Sequence, residues 1–289
     1  MAPDFLCIGA QKAGTTWLHE NLRQHPGVWM PPVKEVHYFD KAIRHPSPFD
    51  RRFYSRRWRT HFTRRLGQRF DGTLGLRELR WDLNFFFARR SDDWYASIFE
   101  PGRDLCSGEI TPGYSKLEPD EVAHVHSLCP DARIVFLMRD PIDRAWSGAR
   151  MSSDRRGLDL ADEARWRGYL DQQKKTRGDY LRTLRNWKAS YGEERLLVGF
   201  FEEIAEDPAG LLTRVHSFLG LETGPELIPE TATRRFNASS ERSMPPEVEA
   251  HLAAMYIDDL HELHGMFGAP IEPWVRRAER VLAGTQVGT

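Results

Sequence analysis

Cysteine is scarce in this chain, three in 289 residues, at Cys7, Cys106 and Cys129. Thiols so few and so scattered exclude a disulfide framework, and their apolar neighbours read as those of small buried hydrophobes. No run approaches the roughly 18–20 apolar residues of a membrane span. The N-terminus enters a strand-like run without the basic and apolar regions of a secretory leader. A soluble, reducing, cytoplasmic setting is therefore expected, and Asn237-Ala238-Ser239 carries little weight as a glycosylation sequon. Neither sign of charge dominates: 41 Lys and Arg stand against 42 Asp and Glu, which excludes a general nucleic-acid binder. His, Cys, Asp and Glu nowhere fall at metal-ligand spacing, so no metal is expected. Repeats, low-complexity tracts and linkers are missing too. That leaves one domain over residues 1–289, with a core of about 4–267 and a weakly patterned tail at 268–289.

What is present is globular in character, 40% hydrophobic and 29% charged. At this length a chain buries roughly three quarters of its unfolded surface. Short apolar runs predict strands from Asp4 to Ile8, Val28 to Met30, Leu105 to Ile110, Ala132 to Met138 and Leu196 to Phe201. Helical patterns run from Thr15 to Leu22, Glu121 to Leu128, Asp159 to Gln173, Asp179 to Tyr191, Leu211 to Leu219 and Pro246 to Phe267. A helical pair is expected between Arg80 and Phe99. Asp140 caps a further helix with Pro141 just inside it. Strands alternating with helices predict a single α/β domain, with a central parallel sheet of about five strands and helices on both faces. Arg51 to Arg69 holds eight arginines and no acid, with Tyr54, Trp58, Phe62, Leu66 and Phe70 at every fourth position. That spacing predicts an amphipathic helix whose apolar stripe packs on the core while the arginines stay solvated. The alternative is a helix that offers cations to an acidic acceptor.

The first strand, a Gly-containing loop and a helix beginning Thr15-Thr16 make a P-loop-like anion site, where backbone N–H groups and a helix N-terminus converge. Walker A loops read G-x-x-x-x-G-K-[ST]. Here Gly9 and Gly14 keep the spacing, but the lysine stands earlier, at Lys12, and Thr15 holds its usual place. That departure, with no strand ending in a Walker B aspartate, disfavours a Mg²⁺-dependent nucleotide kinase or NTPase without removing it as the alternative. A noncatalytic nucleotide-binding module is the second alternative.

Two stretches together resemble one family. Cys7-Ile8-Gly9-Ala10-Gln11-Lys12-Ala13-Gly14-Thr15-Thr16-Trp17-Leu18 is similar to the 5′-phosphosulfate loop of sulfotransferases that use 3′-phosphoadenosine 5′-phosphosulfate (PAPS). The stretch from Arg133 to Ser147, with Arg139-Asp140-Pro141 and Arg144-Ala145 inside it, resembles their 3′-phosphate motif. The pair stands about 125 residues apart, in the family's order. Lys34-Glu35-Val36-His37-Tyr38-Phe39-Asp40 resembles a segment of the heparan sulfate 3-O-sulfotransferase branch, as does Gly108-Glu109-Ile110-Thr111-Pro112-Gly113-Tyr114. Two departures loosen the tie to a heparan acceptor. Ile110 replaces a lysine that faces the acceptor there, and Ser240-Glu241 replace the Lys-Gly of a late cofactor loop, of which Arg242 and Pro245 match.

The resemblance implies PAPS as co-substrate, adenosine 3′,5′-bisphosphate as product and no metal. It places Lys12, Ala13, Gly14, Thr15, Thr16 and Trp17 around the phosphosulfate, with Lys12 near the bridging oxygen. Arg139 and Ser147 then take the 3′-phosphate, and Arg242, in the late loop, is a further cofactor-binding residue. A planar guanidinium at a strand's carboxyl edge suits that task. Glu35 is implied as the general base, with His37 the rival because its ordinary pKa is nearer neutrality. In an extended segment Glu35, His37 and Phe39 would share a face. His37 and Asp40 are expected to position the acceptor, a hydroxyl or amine of a glycan or other small molecule. No nucleic-acid partner is expected.

Overall fold

The predicted alternation is realised in a computed structural model that describes residues 1–44, 47, 56–70, 75–234, 236 and 243–286. Its strands are β1 (Phe5–Gly9), β2 (Val28–Trp29), β3 (Cys106–Ile110), β4 (Arg133–Met138) and β5 (Leu196–Phe200). They pair in parallel in the order β2-β3-β1-β4-β5. The described helices are α1 (Thr15–Leu22), α2 (Arg56–Phe70), α3 (Leu76–Phe87), α4 (Asp92–Ser97), α5 (Pro119–Leu128), α6 (Pro141–Arg156), α7 (Glu163–Gln173), α8 (Tyr180–Tyr191), α9 (Glu203–Glu206), α10 (Pro208–Leu219), α11 (Pro246–Phe267) and α12 (Glu272–Gln286).

Every residue of β1 and the last five of β4 are buried. Continuous apolar runs of this kind suit strands covered on both faces, as parallel strands are. β1 sits between β3 and β4, in register Phe5 to Gly108 on one side and Phe5 to Arg133 on the other. From β1 the chain crosses to β2 on one edge, and from β4 to β5 on the other. The direction of winding therefore reverses between β1 and β4, and their carboxyl ends open the crevice where such sheets bind ligands.

Several expected boundaries shift. Asp162 caps α7 by accepting from the Arg165 N–H at 3.1 Å, so the helix starts after the predicted Asp159. Asp140 does cap α6, accepting from the Ile142 N–H at 2.8 Å, with Pro141 at the first position. The pair expected between Arg80 and Phe99 is displaced to α3 and α4. Arg51 to Ser55 lie outside the described residues. On α2, Phe62 meets Phe86 and Phe87 edge to face, but Leu66 is 42% exposed, so the stripe is only partly covered. Cys7 and Cys129 are buried as expected, and Cys106 half-buried. The tail expected at 268–289 needs the largest correction. Residues 272–286 are helical, and Ile271, Trp274, Val275 and Ala278 bury a stripe at helical spacing, with α12 packed on α11.

One buried pair is electrostatically unsettled. His25 and His216 meet edge to face at 4.6 Å. His216 is almost wholly buried, and neither of its ring nitrogens has a hydrogen-bond partner among the described residues. Burial, with His25 beside it, pulls the His216 pKa down to about 4. Below about pH 6.5 the unfolded chain binds a proton that native His216 refuses, so stability falls with pH across that window. From pH 7 to pH 5 this group should cost ~2 kcal/mol. Urea unfolding at both pH values should show His216→Leu losing that much less than the parent. Equal losses would mean that His216 is protonated in the native state.

Candidate active site

Where β1 ends, the chain turns through residues 10–14 into α1. Lys12 (φ 73°) and Gly14 (φ 85°) both lie in the left-handed region. Gly14 also has no room for a side chain, since a Cβ there would stand 2.3 Å from Ile204 Cδ1. No side chain caps α1, so its first N–H groups are left for an anion. Lys12 is half-buried, and among the described residues its ammonium has no ion-pair partner. Burial lowers its pKa first, then Arg139, Arg155 and Arg150. A lysine held among arginines away from any carboxylate is arranged to meet an anion. Ala13 and Thr15 are buried, and the Thr16 hydroxyl accepts from Lys34 Nζ at 2.8 Å. The Trp17 indole N–H donates to the Ala232 carbonyl at 2.7 Å, which commits that ring to the core.

The second motif meets the first directly. Arg139, just past β4, donates from Nη1 to the Lys12 carbonyl at 3.3 Å. Its guanidinium lies 4.5 Å from the centre of the Phe201 ring, and Tyr180 Oη donates to its carbonyl at 2.9 Å. Asp143 is 3.8 Å away, a looser contact. That carboxylate is engaged elsewhere: Arg277 of α12 donates to Asp143 at 2.7 Å and to Asp140 at 2.9 Å, and pairs with Glu249. Burial, then Asp143, raises the Asp140 pKa to about 6 against the pull of Arg277. Ser147 follows two turns along α6 and is nearly buried. Arg242 lies outside the described residues.

The Lys34–Asp40 segment is not the extended strip expected. Glu35 (φ 60°) and His37 (φ 57°) are left-handed. Alternation therefore fails: Phe39 turns into the core against Tyr38, Tyr95 and Tyr114. Glu35 and His37 still meet, with Oε2 3.3 Å from Nε2. His37 Nδ1 faces Asp40 Oδ1 at 2.9 Å. Burial alone would lower the His37 pKa, but the hydrogen bonds from Asp40 and Glu35 prevail and hold it above its ordinary value. Asp40 is held below its ordinary value, its desolvation outweighed by His37 and two lysines. Lys116 stands 3.6 Å from Asp40, and Lys41 3.2 Å from His37 Nε2. Lys34 reaches Glu35 at 4.0 Å and Thr16 at 2.8 Å. A chain of polar contacts thus runs from the phosphate loop through Lys34 to Glu35, His37 and Asp40.

Glu109 sets this geometry. Its carboxylate is fully buried at the end of β3. Oε1 accepts from Tyr95 and Tyr114, each at 2.8 Å, and Oε2 from Thr111 at 2.5 Å and the Val36 N–H at 3.1 Å. Burial still leaves its pKa raised. Tyr114 Oη also accepts from the Tyr38 N–H at 3.0 Å. Gly113 is obligatory here, because a Cβ would lie 2.5 Å from Asp40 Oδ2. Ile110, read as a lost acceptor contact, is buried in β3 opposite Cys7. Sequence reasoning passed over Lys34, Lys41, Lys116, Glu109 and Arg277 as site residues. For Glu109 the Gly-Glu-x-Thr-Pro stretch was the available signal, and for Lys34 its place beside Glu35.

Comparison with known proteins is consistent with this geometry. A model of the sulfotransferase family matches residues 3–225. Mouse bifunctional heparan sulfate N-deacetylase/N-sulfotransferase 4 is 24% identical over 309 aligned positions, covering 95% of this chain and 31% of the relative. Human heparan sulfate glucosamine 3-O-sulfotransferase 3B1 is 25% identical over 228 positions, 76% of this chain and 46% of the relative. The chain thus spans about a third to a half of the length of these relatives. Among solved structures, a sulfotransferase from Alicyclobacillus acidocaldarius shares the fold with a TM-score of 0.65 at 24% identity, over 95% of this chain and 99% of that one. The sulfotransferase domain of the Synechococcus PCC 7002 olefin synthase does so at 0.54 and 19%, over 86% of each.

Removing the charge from the Glu109 hub should loosen the whole strip. In Glu109→Gln the amide NH₂ confronts donors with a donor, and charge-assisted hydrogen bonds are lost. Stability should fall by on the order of 3 kcal/mol, whereas Tyr95→Phe, which removes one donor, should cost about 1 kcal/mol. Urea midpoints give both values. An unchanged midpoint for Glu109→Gln would deny the hub.

Proposed function

The chain belongs to the sulfotransferase family, and from that premise we propose that this enzyme moves a sulfuryl group from PAPS to a hydroxyl or amine of a carbohydrate acceptor, without a metal. The observation that carries the reading is the half-buried Lys12 ammonium, set among arginines, with no ion-pair partner among the described residues and joined to Arg139 through its own carbonyl. Two anion-seeking motifs from distant parts of the chain meet there. The heparan sulfate enzymes among the relatives favour a glycan acceptor.

When bound, PAPS supplies an activated sulfuryl group on a phosphate. Arg139 and Ser147 hold the 3′-phosphate, and the N-terminus of α1 holds the 5′-phosphate. An acceptor oxygen or nitrogen attacks sulfur in line. Its bond to sulfur forms as the bond to the bridging oxygen breaks, and the electron pair stays on the leaving phosphate. Lys12 neutralises the charge that grows there. The acceptor's proton passes to Glu35. His37, its pKa raised by its hydrogen bonds to Asp40 and Glu35, fixes the Glu35 carboxylate when protonated. That leaves the ring poorly suited to be the base.

Two measurements test the reading. Calorimetry in EDTA should find micromolar-scale binding of adenosine 3′,5′-bisphosphate. Arg139→Ala should weaken that ligand more than its analogue lacking the 3′-phosphate, by about 1.5–3 kcal/mol. Binding of ATP with Mg²⁺, and no response to the bisphosphate, would favour a kinase. In turnover assays Glu35→Gln should lose roughly 10²–10⁴-fold with nucleotide affinity kept. The parent's activity should decline as pH rises through the raised His37 pKa. In His37→Ala that decline should vanish and the loss should be milder. A dead His37→Ala beside a near-normal Glu35→Gln would make His37 the base.

A further inference from the structure

One strongly basic stretch of the sequence takes no part in the chemistry described above. Residues 51–90 carry twelve arginines against three acids, in a chain whose net charge is −1. Within them α2 and α3 pack side by side and leave an apolar groove of about 150 Å³, walled by Phe62, Leu66, Leu79, Leu83, Phe86 and Phe87. At its floor Arg65 is paired with Asp82 at 2.5 Å, so the groove itself is electrically neutral. Its surroundings are not. Arg80 is exposed on the face of α3 that carries Leu76, Leu83 and Phe87, and Arg64, Arg77 and Arg89 are exposed elsewhere on the two helices and just past α3.

The apolar residues are exposed too. Leu76 is 84% exposed, Leu83 52%, Phe87 43% and, across the groove, Leu66 42%. Positions 76, 80, 83 and 87 follow one face of α3. That face therefore offers leucine, arginine, leucine and phenylalanine to solvent. A water-facing helix has no use for such a stripe, and exposed apolar patches of this kind mark interaction surfaces.

We propose that the α2–α3 face docks on an anionic lipid bilayer, with Leu76, Leu83, Phe87 and Leu66 entering the headgroup boundary and the exposed arginines contacting the lipid phosphates. Charge complementarity together with the apolar stripe selects this occupant. A soluble polyanion would engage the arginines and leave Leu83 and Phe87 in water. A bilayer surface presents a continuous anionic layer directly over an apolar interior, and it matches both halves of the face at once. No helix among the described residues is long and apolar enough to cross a membrane, so the contact is peripheral. The proposal is independent of the sulfuryl-transfer reading, since none of these residues is assigned to donor or acceptor.

Sedimentation of the full chain with vesicles tests it. The protein should pellet with phosphatidylcholine–phosphatidylserine vesicles at about 70:30 and stay in solution with phosphatidylcholine alone, and NaCl at about 0.5 M should release it. The double substitution Leu83→Ser/Phe87→Ser should lower the partition coefficient at least ~10-fold, and Arg77→Gln/Arg80→Gln by a similar factor. Leu76→Ser, at the most exposed position, provides the same reading should the double variant unfold. Absence of vesicle binding overturns the proposal. So does binding that the serine substitutions leave unchanged, which would mark a plain polyanion patch. Self-association in light scattering that the serine substitutions abolish, without vesicle binding, overturns it in favour of a second copy of the chain.

Discussion

The site depends on one buried carboxylate. An ionised carboxyl group in a protein interior costs several kcal/mol unless its lone pairs are met by donors. Glu109 is met by four, two on each oxygen. Two of them are tyrosine hydroxyls, and one is the backbone N–H of Val36. That last bond pins the chain between Glu35 and His37, both of which sit in a backbone region unfavourable to side-chain-bearing residues. The strain persists because the hub over-determines it: the Tyr38 N–H is held through Tyr114 as well, and Tyr38 stacks on Tyr95 at 4.9 Å. The direction in which Glu35 and His37 point is thus decided from β3 and the turn after it, not by their own segment.

A second division runs through the cations. Arg65, Arg144 and Arg277 are buried or paired and act as structure: Arg65 on Asp82, Arg144 beside Tyr256, Arg277 on three carboxylates. Lys12 differs in having Arg139, Arg155 and Arg150 around it and no ion-pair partner among the described residues. A near-zero net charge conceals this arrangement completely. The formal balance of the sequence says nothing about where a carboxylate has been withheld from a cation, and that placement distinguishes an anion site from a solvated surface.

Much of the fold was legible. Continuous apolar runs placed β1 and β4, and the Asp140-Pro141 pair placed the start of α6, because capping chemistry is local and strong. The phosphate loop and Arg139 were legible as motifs, since glycine spacing and a strand-ending arginine are fixed by the approach of backbone to anion. The conformation of Lys34–Asp40 was not. The partners that enforce a left-handed backbone at Glu35 and His37 come from far along the chain: Glu109 accepts from the Val36 N–H, Tyr114 Oη accepts from the Tyr38 N–H, and Tyr95 donates to Glu109. Lys116 joined the site only through tertiary folding, whereas Lys41 stood beside Asp40 in the sequence. The last helix is another matter: Ile271, Trp274, Val275 and Ala278 recur at helical spacing, so its signal was present and outweighed by the polar residues between them.

That helix places a residue from near position 277 against the motif at 139–143, which itself grips the loop at Lys12. Three stretches so far apart in the chain close one small volume, and they become available in a fixed order during synthesis. The loop and the strand carrying Arg139 are made first. Until α12 has been made and docks, Asp140 and Asp143 have no Arg277 to hold them. The contact of α12 with the motif beside the phosphate loop is thus among the last contacts of this site that synthesis makes possible.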